Sequence, residues 1–248
     1  MALWRYPVKS LQGEAVTRID VGAEGLQGDR RFAIFDRESG MGVTGRRSPN
    51  LLFASARLLP DGNAEIMLPD GRVSEGDEDL SEWLQRPVTL RRADEPGPRS
   101  YERPADFENE ADTAWNAFDG SPGAFHDLAV ASLSLLATST IGDWDPRRFR
   151  ANLLLDMGPT DTEVALMGHE VAIGDARLSV RRRLGRCVMT TRAQPGGIER
   201  DLDVLRTINR ERDGCLAVGA VVTLPGRMAV GDAITDVAPE RIGAPASG

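Results

Sequence analysis

The sequence predicts a mostly β, barrel-like protein with a few short helices, and three observations carry that reading. Short runs alternate apolar and polar residues or are briefly apolar throughout, as strands do. Tight-turn pairs such as Asp61-Gly62 and Asp70-Gly71 separate some of them. Helical spacing is confined to two stretches, 75–85 and 201–212. A doubly wound dinucleotide fold is disfavoured, because no GxGxxG follows a strand and no Walker loop is present.

In chain order, 16–21 and 31–36 are predicted as strands. Residues 58–59 and 64–68 flank Asp61-Gly62 as a hairpin. Glu75–Gln85 is predicted as a short helix, capped by Ser74 or Asp77, with Leu80, Trp83 and Leu84 on one face. Residues 88–92 are a further strand. Residues 93–109, rich in Pro, Glu, Asp and Gly, are the best linker candidate and place a boundary near residue 100. That divides the chain into 1–100 and 101–240. In the second part, 131–136 alternates as a strand, and 137–140 resembles a turn or helix cap. Residues 152–156 form an apolar run, while 171–173 and 178–182 are strand-like. The clearest helix is 201–212, with Leu202, Leu205 and Ile208 in helical register, Asp201 near its start, and Arg210 and Arg212 near its end. Residues 216–224 and 228–230 close the chain as strands.

Composition narrows the function classes. Apolar residues make up 41% and charged residues 27% of 248, an ordinary globular balance able to bury a core without disulfides. A net charge of −8 argues against bulk nucleic-acid binding, which needs a broad cationic surface. Local basic runs at 46–47, 147–148 and 181–183 are either solvated faces or a local anion site. Two cysteines and two histidines exclude four-Cys zinc sites and iron–sulfur clusters within the chain, and a reduced, cytoplasmic setting is expected. Neither a signal peptide nor a run long enough to cross a bilayer is evident.

Four strings can carry chemistry. In Leu184-Gly185-Arg186-Cys187-Val188-Met189-Thr190-Thr191, a cation beside a thiol favours the thiolate, a soft ligand for transition metals. A buried structural cysteine is the plainer reading. Cys215, in an apolar run, is read as core packing. In Arg148-Phe149-Arg150-Ala151-Asn152, an extended backbone would point Arg148, Arg150 and Asn152 to one side, where they match a phosphate or a pterin edge. A charged strand edge explains the same residues. Lys9-Ser10 and the Gly28-Asp29-Arg30-Arg31 turn are weaker anion sites. His126-Asp127 is an acid–base pair only if neighbouring residues meet, and a structural polar contact otherwise.

Taken in order, these strings resemble the MOSC family, the molybdenum cofactor sulfurase C-terminal domain proteins. Tyr6-Pro7-Val8-Lys9-Ser10-Leu11, the segment 25–31, Thr44-Gly45-Arg46 and Pro49-Asn50-Leu51 resemble the MOSC N-terminal β-barrel domain. Phe125-His126-Asp127, 148–152, 186–191 and Val230-Gly231-Asp232 resemble the MOSC domain itself, and the likeness spans about residues 3–236. The resemblance implies a MOSC β-barrel with an N-terminal β-domain, and a pterin molybdenum cofactor in a cationic cleft between them. It implies Cys187 as the molybdenum ligand and catalytic centre. Lys9, Ser10 and Arg30 would reach the cofactor from the N-terminal side. Thr138 and Thr140 would supply hydroxyls, and Arg148, Arg150 and Asn152 would clamp phosphate or pterin, with Arg186 beside the metal. Two departures stand out. Ala151 replaces a frequent Pro, and Arg192-Ala193-Gln194-Pro195 lies where the mitochondrial amidoxime-reducing components carry Asp-Pro.

The function so implied is reduction of N-oxygenated small molecules at molybdenum, the protein orienting the cofactor. Electrons would come from an external donor of the ferredoxin, flavodoxin, cytochrome b5 or reductase kind. Two alternatives stay open: a carrier of the cofactor or of persulfide sulfur on Cys187, and a pocket recruited to non-redox chemistry.

Overall fold

The computed structural model describes residues 1–107, 110 and 112–237. The last residues of the expected linker, 108–109, and of the expected second domain, 238–240, lie outside the described residues.

Strands dominate, as expected. β1 (Ala2–Arg5), β2 (Glu14–Val16), β3 (Arg18–Gly22) and β4 (Gly25–Leu26) open the chain. In β3 the alternation turns Ile19 and Val21 inward and Arg18 and Asp20 outward. β5 (Phe32–Asp36) is buried along its whole length, and β6 (Ser55–Leu58) pairs with β7 (Ala64–Met67) around the predicted Asp61-Gly62 turn. Helix α1 (Asp77–Leu84) buries Leu80 against β8 (Val88–Arg92) and its neighbours. Its expected cap is corrected: Gly76 is the N-cap, and neither Ser74 nor Asp77 caps with a side chain. The Asp77 carboxylate is drawn instead to β8, accepting from Leu90 N at 2.8 Å and Thr89 Oγ1 at 2.6 Å.

Part of the expected linker is structured. β9 (Ser100–Pro104) pairs antiparallel with β10 (Trp115–Asp119). Then follow β11 (Leu133–Ala137), a single turn α2 (Thr138–Ile141), and β12 (Leu153–Leu155), parallel to β11. β13 (Glu170–Ile173) and β14 (Ala176–Gly185) form a hairpin whose Gly174 has φ 56°, and a Cβ there would collide with the carbonyl of Arg227. Helix α3 (Asp203–Arg212) buries Val204 and Ile208, while Leu202, expected on its inner face, is exposed. β15 (Cys215–Leu224), β16 (Gly226–Ala229) and β17 (Ile234–Asp236) complete the chain.

Eight strands form one curled sheet in the order β17-β13-β14-β15-β11-β12-β1-β2. The first residues of the chain thus lie beside β12, with Leu3 opposite Leu153. β16 pairs with β3, so Ile19, Val21 and Leu26 share a core with Leu133, Leu153, Val171 and Val218. A second core gathers Val8, Phe32, Ile34, Leu51, Ile66 and Val88. Three register shifts between β14 and β15 bend that long ribbon. Its β14 end delivers Arg186 and Cys187. None of the helices among the described residues is long and apolar enough to cross a membrane.

Candidate functional site

Five loops and the end of β14 meet around a cleft of about 430 Å³. After β1, the Lys9 N–H donates to Phe32 O at 2.8 Å, which lays Lys9 beside β5. Ser10 follows at φ 71°, and its Oγ accepts the N–H of Gly45 at 3.0 Å, joining two of the loops. A Cβ on Gly45 would stand 2.7 Å from Met189 Cε, so the glycine lets the 44–46 turn approach the Cys187 loop. In the turn before β5, buried Asp29 accepts Tyr6 N–H at 2.7 Å and pairs with Arg30. The Arg30 guanidinium lies over the Tyr6 ring at 5.2 Å, and Arg150, from far along the chain, lies over the same ring at 4.5 Å. Tyr6 is thus a platform for two cleft cations.

The expected extended arrangement of 148–152 is corrected. Pro146–Phe149 is a 3-10 turn whose Asp145 side chain accepts Arg147 N–H, and Arg150 is left-handed at φ 51°. Alternation therefore fails, and the three side chains have different roles. Arg148 donates to Thr190 O (3.2 Å), Arg192 O (3.3 Å) and Glu199 O (2.7 Å), holding the loop that follows Cys187. Asn152 is fully buried. Its Oδ1 accepts from Ser134 N and Oγ, and its Nδ2 donates to Trp4 O at 3.3 Å, fastening β11 and β1 to β12. Both residues line the cleft, but their polar groups are engaged with protein. Arg150 has one N–H on Leu11 O.

Cys187 is a free, half-buried thiol lining the cleft, without a hydrogen-bond partner for its sulfur among the described residues. Its carbonyl accepts Thr190 N–H and Oγ1–H, winding Val188–Thr191 into a 3-10 turn. Arg186 donates Nε to Leu216 O (2.7 Å) and Nη1 to Phe149 O (3.1 Å), while Nη2 is buried and unpaired among the described residues. Burial lowers the Arg186 guanidinium to about 10, partly offset by Cys187 and Glu163. Burial likewise brings Arg150 to about 10. Arg30 behaves oppositely: burial pulls it down, but Asp29 and Asp127 outweigh that and raise it.

Lys9 Nζ donates to Phe125 O at 3.1 Å and pairs with Asp127, whose carboxyl Lys9 holds below the usual range. His126 also faces the cleft. Burial first, then Arg30, lower its imidazole to about 4, so it is neutral. His126 and Asp127 do not bond each other, and Asp127 belongs to Lys9. The hydroxyls of Thr138 and Thr140 are not on the cleft, which corrects their expected place. Thr138 donates to Leu155 O, and Thr140, buried in α2, donates to Glu163 Oε2 at 2.6 Å. Cys215 is half-buried opposite Gly185 rather than in the core.

The sequence did not single out Tyr101, Ser132, Arg103 or Glu163. Tyr101 and Ser132 line the cleft, and their buried Oη and Oγ have no partner among the described residues. The only signal for Ser132 was a hydroxyl inside an apolar strand. The cleft gathers Lys9, Arg30, Arg46, Arg103, Arg148, Arg150 and Arg186 against Glu102 and Asp127. This excess of cations in a chain of net charge −8 gives the cleft a positive lining, with one free thiol on its wall. Among the described residues no cluster of His, Cys, Asp or Glu could hold a metal by itself. A group that brought its own metal ligands and its own negative charge would match this donor set: one free thiol, an orphaned guanidinium N–H, two orphaned hydroxyls and surplus cations.

Two family matches cover nearly all of the chain. Residues 1–107 match the MOSC N-terminal beta barrel domain, and residues 120–235 match the MOSC domain. None of the curated proteins matches the chain in sequence. Among solved structures, the YuaD protein from Bacillus subtilis is similar over 94% of this chain and 91% of its own, at 10% identity and a TM-score of 0.39.

Proposed function

This chain belongs to the MOSC proteins, a family associated with the molybdenum cofactor, and from that premise we propose that the cleft holds a pterin molybdenum cofactor with Cys187 as thiolate ligand to the metal. One observation carries the reading. The cleft's free thiol, Cys187, stands beside Arg186, whose buried Nη2 has no partner among the described residues. An unmet buried donor is costly, and an anionic ligand would meet it. Arg30 and Arg150, held on Tyr6, and Lys9 would face the negatively charged parts of the cofactor. Ser132 would offer its hydroxyl. Arg148 and Asn152 would act one step back, by holding the walls. Bound there, the cofactor supplies a metal that changes oxidation state and takes up oxygen.

The reaction proposed is reduction of N-hydroxylated compounds. Replacing N–OH by N–H consumes two electrons and two protons and releases water. The electrons come from an external redox partner, since two cysteines cannot hold an iron–sulfur cluster. The test is molybdenum content after expression in a host that makes the cofactor. Wild-type protein is expected to carry near-stoichiometric metal, and Cys187→Ala less than about a tenth of it, a loss worth at least ~1.4 kcal/mol in binding. Equal metal in both overturns the assignment. Metal-loaded protein that fails to reduce benzamidoxime with a chemical donor would turn the reading to a cofactor carrier.

A further inference from the structure

The exposed end of the cleft differs from its floor. Antiparallel register sets Tyr101 opposite Phe118 and Arg103 opposite Asn116, so these four side chains share one face of the β9–β10 hairpin. Three of them, Tyr101, Arg103 and Phe118, line the cleft. Phe118 is 37% exposed and Phe107, just past β9, is 58% exposed, so two benzyl rings are left unburied at the opening. Each carries a guanidinium. Arg103 lies over Phe118 at 5.8 Å and Arg46 over Phe107 at 4.9 Å. Arg46 also reaches Glu110 at 3.6 Å, and Glu102 is turned to Arg47 at 3.6 Å. Arg103 has no carboxylate partner among the described residues. Tyr101, next to Phe118 at 5.9 Å between centroids, has its buried Oη unpaired.

This wall offers exposed aromatic rings and one positive charge without a carboxylate partner among the described residues. A flat ring can lie against the phenylalanines, and an anionic substituent on it would meet Arg103 by charge-assisted hydrogen bonds. A neutral ring would leave Arg103 unmatched. We infer that the β9–β10 hairpin is a specificity wall that selects aromatic substrates bearing a carboxylate or a similar anionic group. The inference rests on the reading of the cleft as a substrate-reducing site and names its substrate class. It concerns binding alone.

The test is titration calorimetry of the purified protein, without a reductant, with benzamidoxime and 4-carboxybenzamidoxime. The carboxylated ligand is expected to bind at least about tenfold more tightly. Arg103→Gln is expected to reduce that ratio below about threefold, and Phe118→Ala to weaken both ligands. Equal affinity of the wild type for the two ligands overturns the inference. So does a preference unchanged by Arg103→Gln, which would place the anion on the deeper cations, and so does failure to bind either ligand. Molybdenum content is read separately. A protein free of metal that keeps the Arg103-dependent preference refutes the cofactor assignment and leaves the wall, whereas metal bound through Cys187 without the preference does the reverse.

Discussion

Two cations of the cleft, Arg150 and Arg186, are half-buried and bond no carboxylate among the described residues, whereas Lys9 and Arg30 are paired with Asp127 and Asp29. That division decides which side chains have donors to spare for a ligand. It also decides how His126 responds to pH. The groups facing it are Lys9, Arg30, Asp29 and Asp127, and burial with the two cations brings its imidazole from 6.5 to about 4. A histidine with a depressed folded pKa is neutral in the folded protein while the unfolded chain already takes a proton. Stability therefore falls as pH drops from about 6.5 to about 4, and no further below. The full shift corresponds to at most about 3 kcal/mol, and to less because the imidazole is partly open to the cleft. Urea unfolding of wild type and His126→Gln at pH 7 and pH 4.5 checks this. The variant is expected to lose less stability between the two, and equal losses would show that His126 does not titrate this way. At this scale the sequence brought Lys9, Arg30, Arg186 and Cys187 forward by residue type, and all four line the cleft. It was silent on Tyr6 as a platform, because stacking of Arg30 and Arg150 on one ring depends on a contact between distant parts of the chain.

Among the elements, the bulge in β15 has the most consequence for the site. Ala217 sits at φ 78°, an unusual conformation for a residue with a Cβ. Its N–H donates to Glu163 Oε1 at 3.2 Å, and Glu163 Oε2 accepts from Ala137 N (3.1 Å) and Thr140 Oγ1 (2.6 Å). This buried carboxylate therefore ties β11, α2 and β15 together. The carbonyl just before the bulge, Leu216 O, orients Arg186. Glu163→Ala would strand three donors in a water-poor interior, each worth about 1 kcal/mol or more. The expected loss is about 3 kcal/mol, read as a lower urea midpoint at unchanged slope. Glu163→Gln, which keeps two acceptor lone pairs, is expected to recover part of it, and a variant as stable as wild type would disprove the role. Sequence reasoning found β5, β8, the β6–β7 hairpin and α3 because apolar patterning and turn residues agree there. It missed β1, whose four residues leave no room for a pattern, and β9, where Glu102, Arg103 and Pro104 give a strand the composition of a linker. It misread 148–152 because Pro146 and Asp145 start a turn that cancels alternation.

The whole molecule is interwoven along the sequence. β1 and β2 complete the large sheet, β3 and β4 pair with β16, and Leu3, Ile19, Val21 and Leu26 fill a core whose other members come from beyond residue 130. Four apolar side chains contributed from the start of the chain, each worth about 1.5–3 kcal/mol when fully buried, exceed a large share of a typical domain's stability. Without them β12 would also present an unpaired edge, an invitation to aggregation. A polypeptide of residues 101–237 alone, cut at the linker the composition pointed to, is therefore expected not to fold. Circular dichroism and size-exclusion chromatography of that fragment would show an unfolded or aggregated chain, and adding a peptide of residues 1–28 is expected to restore β structure by supplying β1 to β4. A monomeric, cooperatively melting fragment without the peptide would show that the cores divide where the sequence suggested. The same interweaving explains how the cleft is assembled. Lys9 and Ser10 lie between β1 and β2, which complete the large sheet, and Arg30 follows β4 in the sheet shared with β16, so the pairing that stabilises the fold also brings them to the cleft with Arg150, Arg186 and Cys187.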